Sequence, residues 1–144
     1  MTTQFNADAF MATEVEQELE TEFTPIPERD YPALVKEVKP SVTPNGSPKM
    51  DIHWIIDDQS VRDLLGHDEP IAKQNVWLDF NAAGALEFGK NKNIGLGKLR
   101  EALGQNDGKP WKPTDLLVKV ATVSVKHRLG EEGGIFAYVS AVRA

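Results

Sequence analysis

The chain has 144 residues, no cysteine and a formal net charge of −6. A chain of this length most simply forms one domain with one core. Without cysteine it has neither a disulfide framework nor a thiolate metal site, and no apolar run is long enough to span a bilayer. The N-terminus carries acids where a signal peptide needs a basic region, so the composition favours a reducing cytoplasm.

Charge is distributed unevenly along the chain. Six of the 22 acids and none of the 16 bases fall within residues 1–24, so the rest of the chain is neutral. Between Phe88 and Arg128 there are nine Lys and Arg against three acids. This pattern predicts an acidic N-terminal arm, residues 1–24, and a domain, residues 25–144, with a basic stretch. The arm could be a solubilising, partly disordered segment or could contact a partner.

The predicted elements begin with the arm, which could form a helix from about Ala7 to Glu20. Its apolar stripe is ragged and its glutamates alternate, which disfavours a stable helix. Prolines within residues 24–27 end any helix there. Tyr31–Lys39 is predicted as the first strand, with a slip or bulge near Val38.

A hairpin turn and a second strand follow. The Asn45-Gly46 dipeptide is typical of a turn between antiparallel strands. The second strand is predicted at Lys49–Asp57, where apolar and polar residues alternate. Trp54 shares a face with the apolar residues of this strand, which predicts a core position.

The third strand is predicted at Gln74–Phe80, after a polar segment with a short helical turn at Val61–Leu65. Val76 lies on the apolar face of this strand, and Trp77 lies on the opposite face. Trp77 is therefore expected to face outward.

The second half of the chain has one convincing helix, at residues 93–104. Asn93 is predicted to cap its start, and Gly104 to end it in the left-handed conformation. Its core face would carry Leu96, Leu99 and Leu103. Gly95 and Gly97 each cost about 1 kcal/mol relative to alanine inside a helix, which predicts that they allow a close approach to the barrel.

The last elements are a loop and two strands. Trp111, between two prolines, is predicted to anchor the loop that closes one end of the barrel. The strands are predicted at Leu117–His127 and Ile135–Val142, joined by a glycine-rich hairpin turn at residues 130–134. The order of three strands, one helix and two strands predicts a mainly β fold, a five-stranded OB-fold-like barrel with one helix between strands 3 and 4.

Three segments carry a resemblance: residues 23–35 (FTPIPERDYPALV), 90–104 (KNKNIGLGKLREALG) and 125–128 (VKHR). From about residue 23 to its end, the chain resembles a family of small bacteriophage proteins of nominally unknown function. Members are regarded as OB-fold single-stranded DNA-binding proteins of phage replication and recombination modules. The resemblance implies a protein that coats single-stranded DNA in the host cytoplasm, with no catalysis and no cofactor.

One departure from this resemblance concerns the acidic segment. Many phage single-strand binders end in an acidic tail that contacts other replication proteins, whereas this chain ends Ala-Val-Arg-Ala. The arm could take over the contact with replication or recombination proteins. It could also lie in the basic groove when DNA is absent and be displaced by phosphates.

Sequence-tolerant binding of a single strand needs a basic groove for the phosphates and aromatic rings on which bases stack. Alternation places the aromatic residues of strands 3 and 5 on outward faces. The lysines and arginines lie on strand 1, before the helix and at the end of strand 4. The strand aromatics could instead pack under the arm or the helix. The predicted contact residues are Lys36, Trp77, Lys90, Lys92, Lys126, Arg128, Phe136 and Tyr138.

Two other classes of function remain open from the sequence. A virion or decoration component could use the barrel as a scaffold, with the arm reaching a neighbouring subunit of a homo-oligomer. A metal-dependent nuclease could use clustered carboxylates to hold two metal ions, although the aspartates also fit outer-face and turn positions. Those aspartates are Asp51, Asp57, Asp58 and Asp79.

Overall fold

Five strands form a closed barrel in the order β1-β2-β3-β5-β4. The computed structural model describes residues 4–131 and 133–144, so residues 1–3 of the predicted arm and Glu132 of the predicted last turn lie outside the described residues. The elements are α1 (Ala7–Met11), β1 (Arg29–Val42), β2 (Pro48–Ile56), α2 (Gln59–Leu65), β3 (Ile71–Trp77), α3 (Ile94–Ala102), a 3-10 helix (Pro113–Leu116), β4 (Val120–Leu129) and β5 (Ile135–Arg143).

This topology confirms the predicted OB-like barrel. Neighbouring strands pair antiparallel except β3 and β5, which are parallel. The helix α3 lies between β3 and β4 along the chain, as the sequence predicts. No helix within the described residues has the length and apolar character needed to cross a membrane.

Alternation along the strands separates the inside of the barrel from its outside. Trp54 is fully buried, and its Nε1 donates a hydrogen bond to Gln74 Oε1 at 2.8 Å. Its predicted core position is therefore confirmed. The fully buried side chains that surround the barrel interior include Tyr31, Val35, Ile52, Ile56, Leu99, Leu116, Val123 and Val125.

The first strand is longer than predicted because it pairs with two partners. Its first part, from Arg29, pairs with β4, and its later part, up to Val42, pairs with β2. The predicted irregularity is a register shift between Val35 and Glu37, slightly before Val38. A bulge bends a strand and increases its twist, which helps one strand to close a barrel.

The third and fourth strands are displaced from their predicted positions. β3 begins at Ile71 and ends at Trp77, while Phe80 instead forms an isolated bridge with Leu86. β4 begins only at Val120, because the preceding Val118 has a φ of 57° in the left-handed region and turns the chain. β-branched residues rarely adopt the left-handed conformation. The predicted start of the fourth strand at Leu117 is wrong because Val118 adopts it.

The arm helix is much shorter than the predicted Ala7–Glu20. α1 ends at Met11, and the arm after it lacks regular secondary structure. A short helix is marginal in water unless an apolar face packs against the protein. The large apolar side chains of the described arm are instead exposed, namely Phe5, Phe10, Met11, Val15, Leu19 and Phe23.

α3 starts directly after Asn93, as predicted, but the role of the Asn93 side chain differs from the prediction. Asn93 precedes the helix with a φ of 51° and makes no side-chain capping bond. Its side chain is nevertheless buried: Oδ1 accepts from Asp79 N, and Nδ2 donates to the carbonyl oxygens of Asp79 and Glu87. Asn93 therefore occupies the predicted N-cap position, but its side chain does not cap the helix and instead ties the connector to the segment that follows β3. The left-handed Gly104, with a φ of 71°, confirms the predicted end of the helix.

The glycines inside α3 are not required by a close approach to the barrel. A Cβ atom at Gly97 would meet no heavy atom within 4 Å, and one at Gly95 would lie 3.9 Å from Val76 Cγ1, an ordinary contact. That part of the prediction is wrong.

Replacing Gly97 with alanine should therefore stabilise the fold by up to about 1 kcal/mol, because alanine loses less conformational freedom in a helix. Urea unfolding measures the change. Gly104→Ala is the matched control, and it should destabilise because of the positive φ of Gly104. A loss of stability in Gly97→Ala would contradict the open space at this position.

Candidate nucleic-acid interface

A row of side chains crosses four neighbouring strands on the outside of the barrel. Lys73 of β3 is in register with His53 of β2 and with Tyr138 of β5, and Tyr138 is in register with Lys126 of β4. Register partners share a face of the sheet. Residues at alternate positions, such as Val76, are buried in the core, so this row points outward.

Phe136 extends this row toward the last hairpin turn. It is two residues before Tyr138 on β5, is in register with Arg128 and is 52% exposed. A Cβ atom at Gly130 would overlap the Phe136 ring, so the ring lies directly against that glycine. The hairpin therefore supports the ring from one side while leaving it accessible to solvent.

Trp77 provides a third aromatic ring on the same outer surface. It ends β3, is 54% exposed, and has the Lys49 ammonium group 5.9 Å from its ring centroid. Lys73 is four residues earlier, on the same face. At about 3.3 Å per residue, the positions of Trp77 and Phe136 are separated by roughly 20 Å along the two parallel strands. We call the surface formed by Lys73, Trp77, Lys126, Arg128, Phe136 and Tyr138 the β3–β5 face.

The bases of the β3–β5 face differ from most other bases of the chain. Within the described part of the chain, Lys73, Lys126 and Arg128 take part in no ion pair. Asp30 is close to this face, and its pKa is lowered by a hydrogen bond from Ser124 and by the charges of Arg143 and Lys126. Because Asp30 is ion-paired with Arg143 at 2.7 Å, its charge is largely compensated.

The structure brings most of the predicted contact residues together. Five of them lie on the β3–β5 face, namely Trp77, Lys126, Arg128, Phe136 and Tyr138. Lys36 lies on β1 beyond Leu34, which pairs with Val120 at the end of β4 opposite to Lys126 and Arg128. Its ammonium group is 2.8 Å from Glu69 Oε2 and lowers the pKa of that carboxyl. Lys36 is therefore separate from this face.

The two predicted lysines of the connector also lie outside the face. Lys90 and Lys92 are exposed in the segment before α3, and Lys92 is ion-paired with Glu87 at 3.4 Å. Sequence reasoning instead missed Lys73. A signal for it was available, since Lys73 and Trp77 are an even number of positions apart, but the predicted strand began one residue too late to include it.

The end of the arm lies elsewhere on the barrel. Residues 20–24 border a cavity formed with α2 and the segment that leads into β3. Its lining includes the acids Glu20, Glu22, Asp63 and Glu69, which would repel phosphate. None of the ion pairs between described residues involves a carboxylate of the arm.

The aspartates considered for nuclease chemistry have separate partners. Asp51 pairs with Lys49, Asp57 with Arg62 and Asp58 with Arg29, while Asp79 accepts from the backbone of Asn93. The pKa of Asp58 is lowered by hydrogen bonds from Ser60 and Val61 N, as expected of a cap on α2. Across residues 4–131 and 133–144, no group of three or more potential metal-ligating side chains is present.

The β3–β5 face gives this small barrel an outer surface that is basic and aromatic. No protein-family model matches the sequence, and no curated protein is significantly similar to it. The resemblance to phage single-strand binders stays a prediction, so a functional proposal rests on the barrel and on this face.

Proposed function

We propose that the protein binds single-stranded DNA on the β3–β5 face and has no catalytic activity. The observation that carries this proposal is the combination, on adjoining strands, of three outward aromatic rings with three lysine and arginine side chains that form no ion pair with any described residue. OB barrels bind oligonucleotides on the face of strands 2 and 3 and with the loops that join strands 1 and 2 and strands 4 and 5; the β3–β5 face shares β3 with that region and reaches the turn between β4 and β5. Because the fold hosts many functions, the composition of the face is the stronger argument.

The proposed mode of binding follows from the chemistry of the face. Lys73, Lys126 and Arg128 would neutralise successive phosphates, and nucleobases would stack on the rings of Tyr138, Phe136 and Trp77. Stacking tolerates any base, because every base has a π-face. Duplex DNA has its bases already stacked and would gain only the phosphate contacts.

The biological setting of the proposal comes from the sequence resemblance. The protein would coat single-stranded DNA during replication or recombination of a phage, in the cytoplasm of the bacterial host. The exposed arm would contact other replication or recombination proteins or a second subunit. Its exposed apolar side chains, including Phe10 and Phe23, would supply contact area in either case.

Fluorescence anisotropy with a labelled mixed-sequence oligonucleotide tests the proposal. We expect the protein to bind the single strand. The affinity should fall steeply between about 50 and 200 mM salt, since bound phosphates release counterions. The same sequence as a duplex should bind more weakly. An absence of binding to the single strand at the lower salt would overturn the proposal and favour the structural or interaction role.

Removing residues 1–24 should tighten binding to single-stranded DNA by a few-fold at low salt. The arm carries six acids and no base, and these charges repel phosphate or compete with it for the basic face. Salt screens this effect, so the gain should vanish near physiological ionic strength. Anisotropy titrations of both forms measure the difference.

A full-length control distinguishes the effect of the arm's charge on affinity from the effect of the arm's volume. In this control the arm glutamates are replaced by glutamine, namely Glu14, Glu16, Glu18, Glu20 and Glu22. We expect it to reproduce most of the gain. Unchanged affinity in both variants would rule out competition by the arm.

A further inference from the structure

The barrel has a seam between β3 and β5. Among the described residues, these strands share a single register pair, Lys73 with Tyr138, whereas every other pair of neighbouring strands shares at least six. Beyond this pair, residues 74–77 of β3 and 139–142 of β5 border a cleft. Among the described residues no register pair joins these two segments, so the sheet is not continuous there and the strand edges face the cleft; backbone polar groups need hydrogen-bond partners when water is displaced.

The cleft has the size and lining of a small binding pocket. Its volume is about 360 Å³, within the range of pockets that hold small ligands. Gly95 and Leu99 of α3 line it from the helix side, and Lys98 contributes an exposed ammonium group. Trp77 borders both this cleft and the β3–β5 face, so a strand bound on the face would pass the cleft opening.

We propose that this cleft receives one nucleobase of the bound single strand, an inference that rests on the proposed function. The base would lie beside Trp77, its edge would exchange hydrogen bonds with the open strand edges, and Lys98 would contact an adjacent phosphate. Base edges carry both donors and acceptors, which suits a pocket bordered by backbone N–H and C=O groups. The open edges are only four residues long and α3 covers one side, which leaves little room for an added peptide strand.

The cleft would give the protein a base preference that the stacking face lacks. Stacking on exposed rings is sequence-tolerant, whereas hydrogen bonds to a base edge distinguish one base from another. We therefore expect the wild-type protein to bind one homopolymer more tightly than the others. Gly95→Leu should fill the cleft, weaken binding to the preferred homopolymer by about tenfold and reduce the preference.

The matched control for this variant is Gly97→Leu on the same helix. Gly97 does not line the cleft, and a Cβ atom there has open space. Its affinity and preference should match those of the wild type. Unchanged binding of a folded Gly95→Leu would overturn the cleft inference while leaving the proposed function intact. No binding of any oligonucleotide by the wild type would instead overturn the proposed function.

A second variant tests the proposed role of the cleft even if Gly95→Leu fails to fold. Lys98 is exposed, so Lys98→Gln should leave the fold intact. It should lower the slope of log affinity against log salt by about 0.7, the contribution of one phosphate contact on a single strand. An unchanged slope would overturn the proposed role of the cleft.

Discussion

Replacing Lys73, Lys126 and Arg128 together with glutamine should weaken binding of single-stranded DNA by about two orders of magnitude at low salt. Each lost phosphate contact removes a favourable release of counterions, so the slope of log affinity against log salt should also fall by about 2. The three bases lie on the outside of the barrel and take part in no ion pair within the described chain. Anisotropy titrations at several salt concentrations measure both effects.

The control for this triple variant removes the same charge from elsewhere. Lys39, Lys92 and Lys109 are each ion-paired with a nearby carboxylate, at 3.1, 3.4 and 3.8 Å. Replacing all three with glutamine changes the net charge equally but leaves the β3–β5 face intact, so affinity should fall only slightly. Equal losses in both triple variants would show that overall charge, rather than this face, governs binding.

Replacing Trp54 with alanine should lower the free energy of unfolding by about 3–5 kcal/mol, the usual cost of removing a buried aromatic side chain. Trp54 is fully buried, and its loss would also leave Gln74 Oε1 without its donor. Because domains of this size are stable by only about 5–15 kcal/mol, this variant should be close to unfolded at moderate temperature. Urea unfolding measures the loss.

Trp77→Ala is the matched control for the core substitution. Trp77 is 54% exposed, so its removal should change stability by about 0.5 kcal/mol or less. It should instead weaken binding of single-stranded DNA by roughly 1–3 kcal/mol, the value of one stacked base. A loss of stability as large as that of Trp54→Ala would contradict the outward position of Trp77.

The barrel could be predicted from the sequence because its strands alternate clearly and α3 is the one α-helix between β3 and β4. The predicted ends of strands and helices are less accurate where tertiary structure overrides the conformational preference of a residue. The φ of 57° at Val118 places a turn where the side chain favours a strand. Asn93 looked like a helix cap, but its hydrogen bonds to Asp79 and Glu87 come from folding the connector back on β3, which no local pattern reveals.

The composition of the face could be predicted only in part. Alternation along single strands indicates that Trp77, Phe136 and Tyr138 face outward. Which lysines and arginines accompany them depends on where each strand begins and on the parallel pairing of β3 with β5, which is a non-local contact. Lys73 falls just before the predicted start of the third strand, whereas Lys36 lies near the opposite end of β4 from Lys126 and has its own carboxylate partner.

Chemical-shift mapping of the ¹⁵N-labelled protein with a single-stranded oligonucleotide tests the central claim most directly. The predicted result is that the largest shifts fall on the outer positions of β3, β4 and β5, including Lys73, Lys126 and Tyr138, and on the Trp77 indole N–H. The Trp54 indole N–H, buried in the core, should move little. Shifts confined to α2 and β1, or no shifts at low salt, would contradict a nucleic-acid interface on the β3–β5 face.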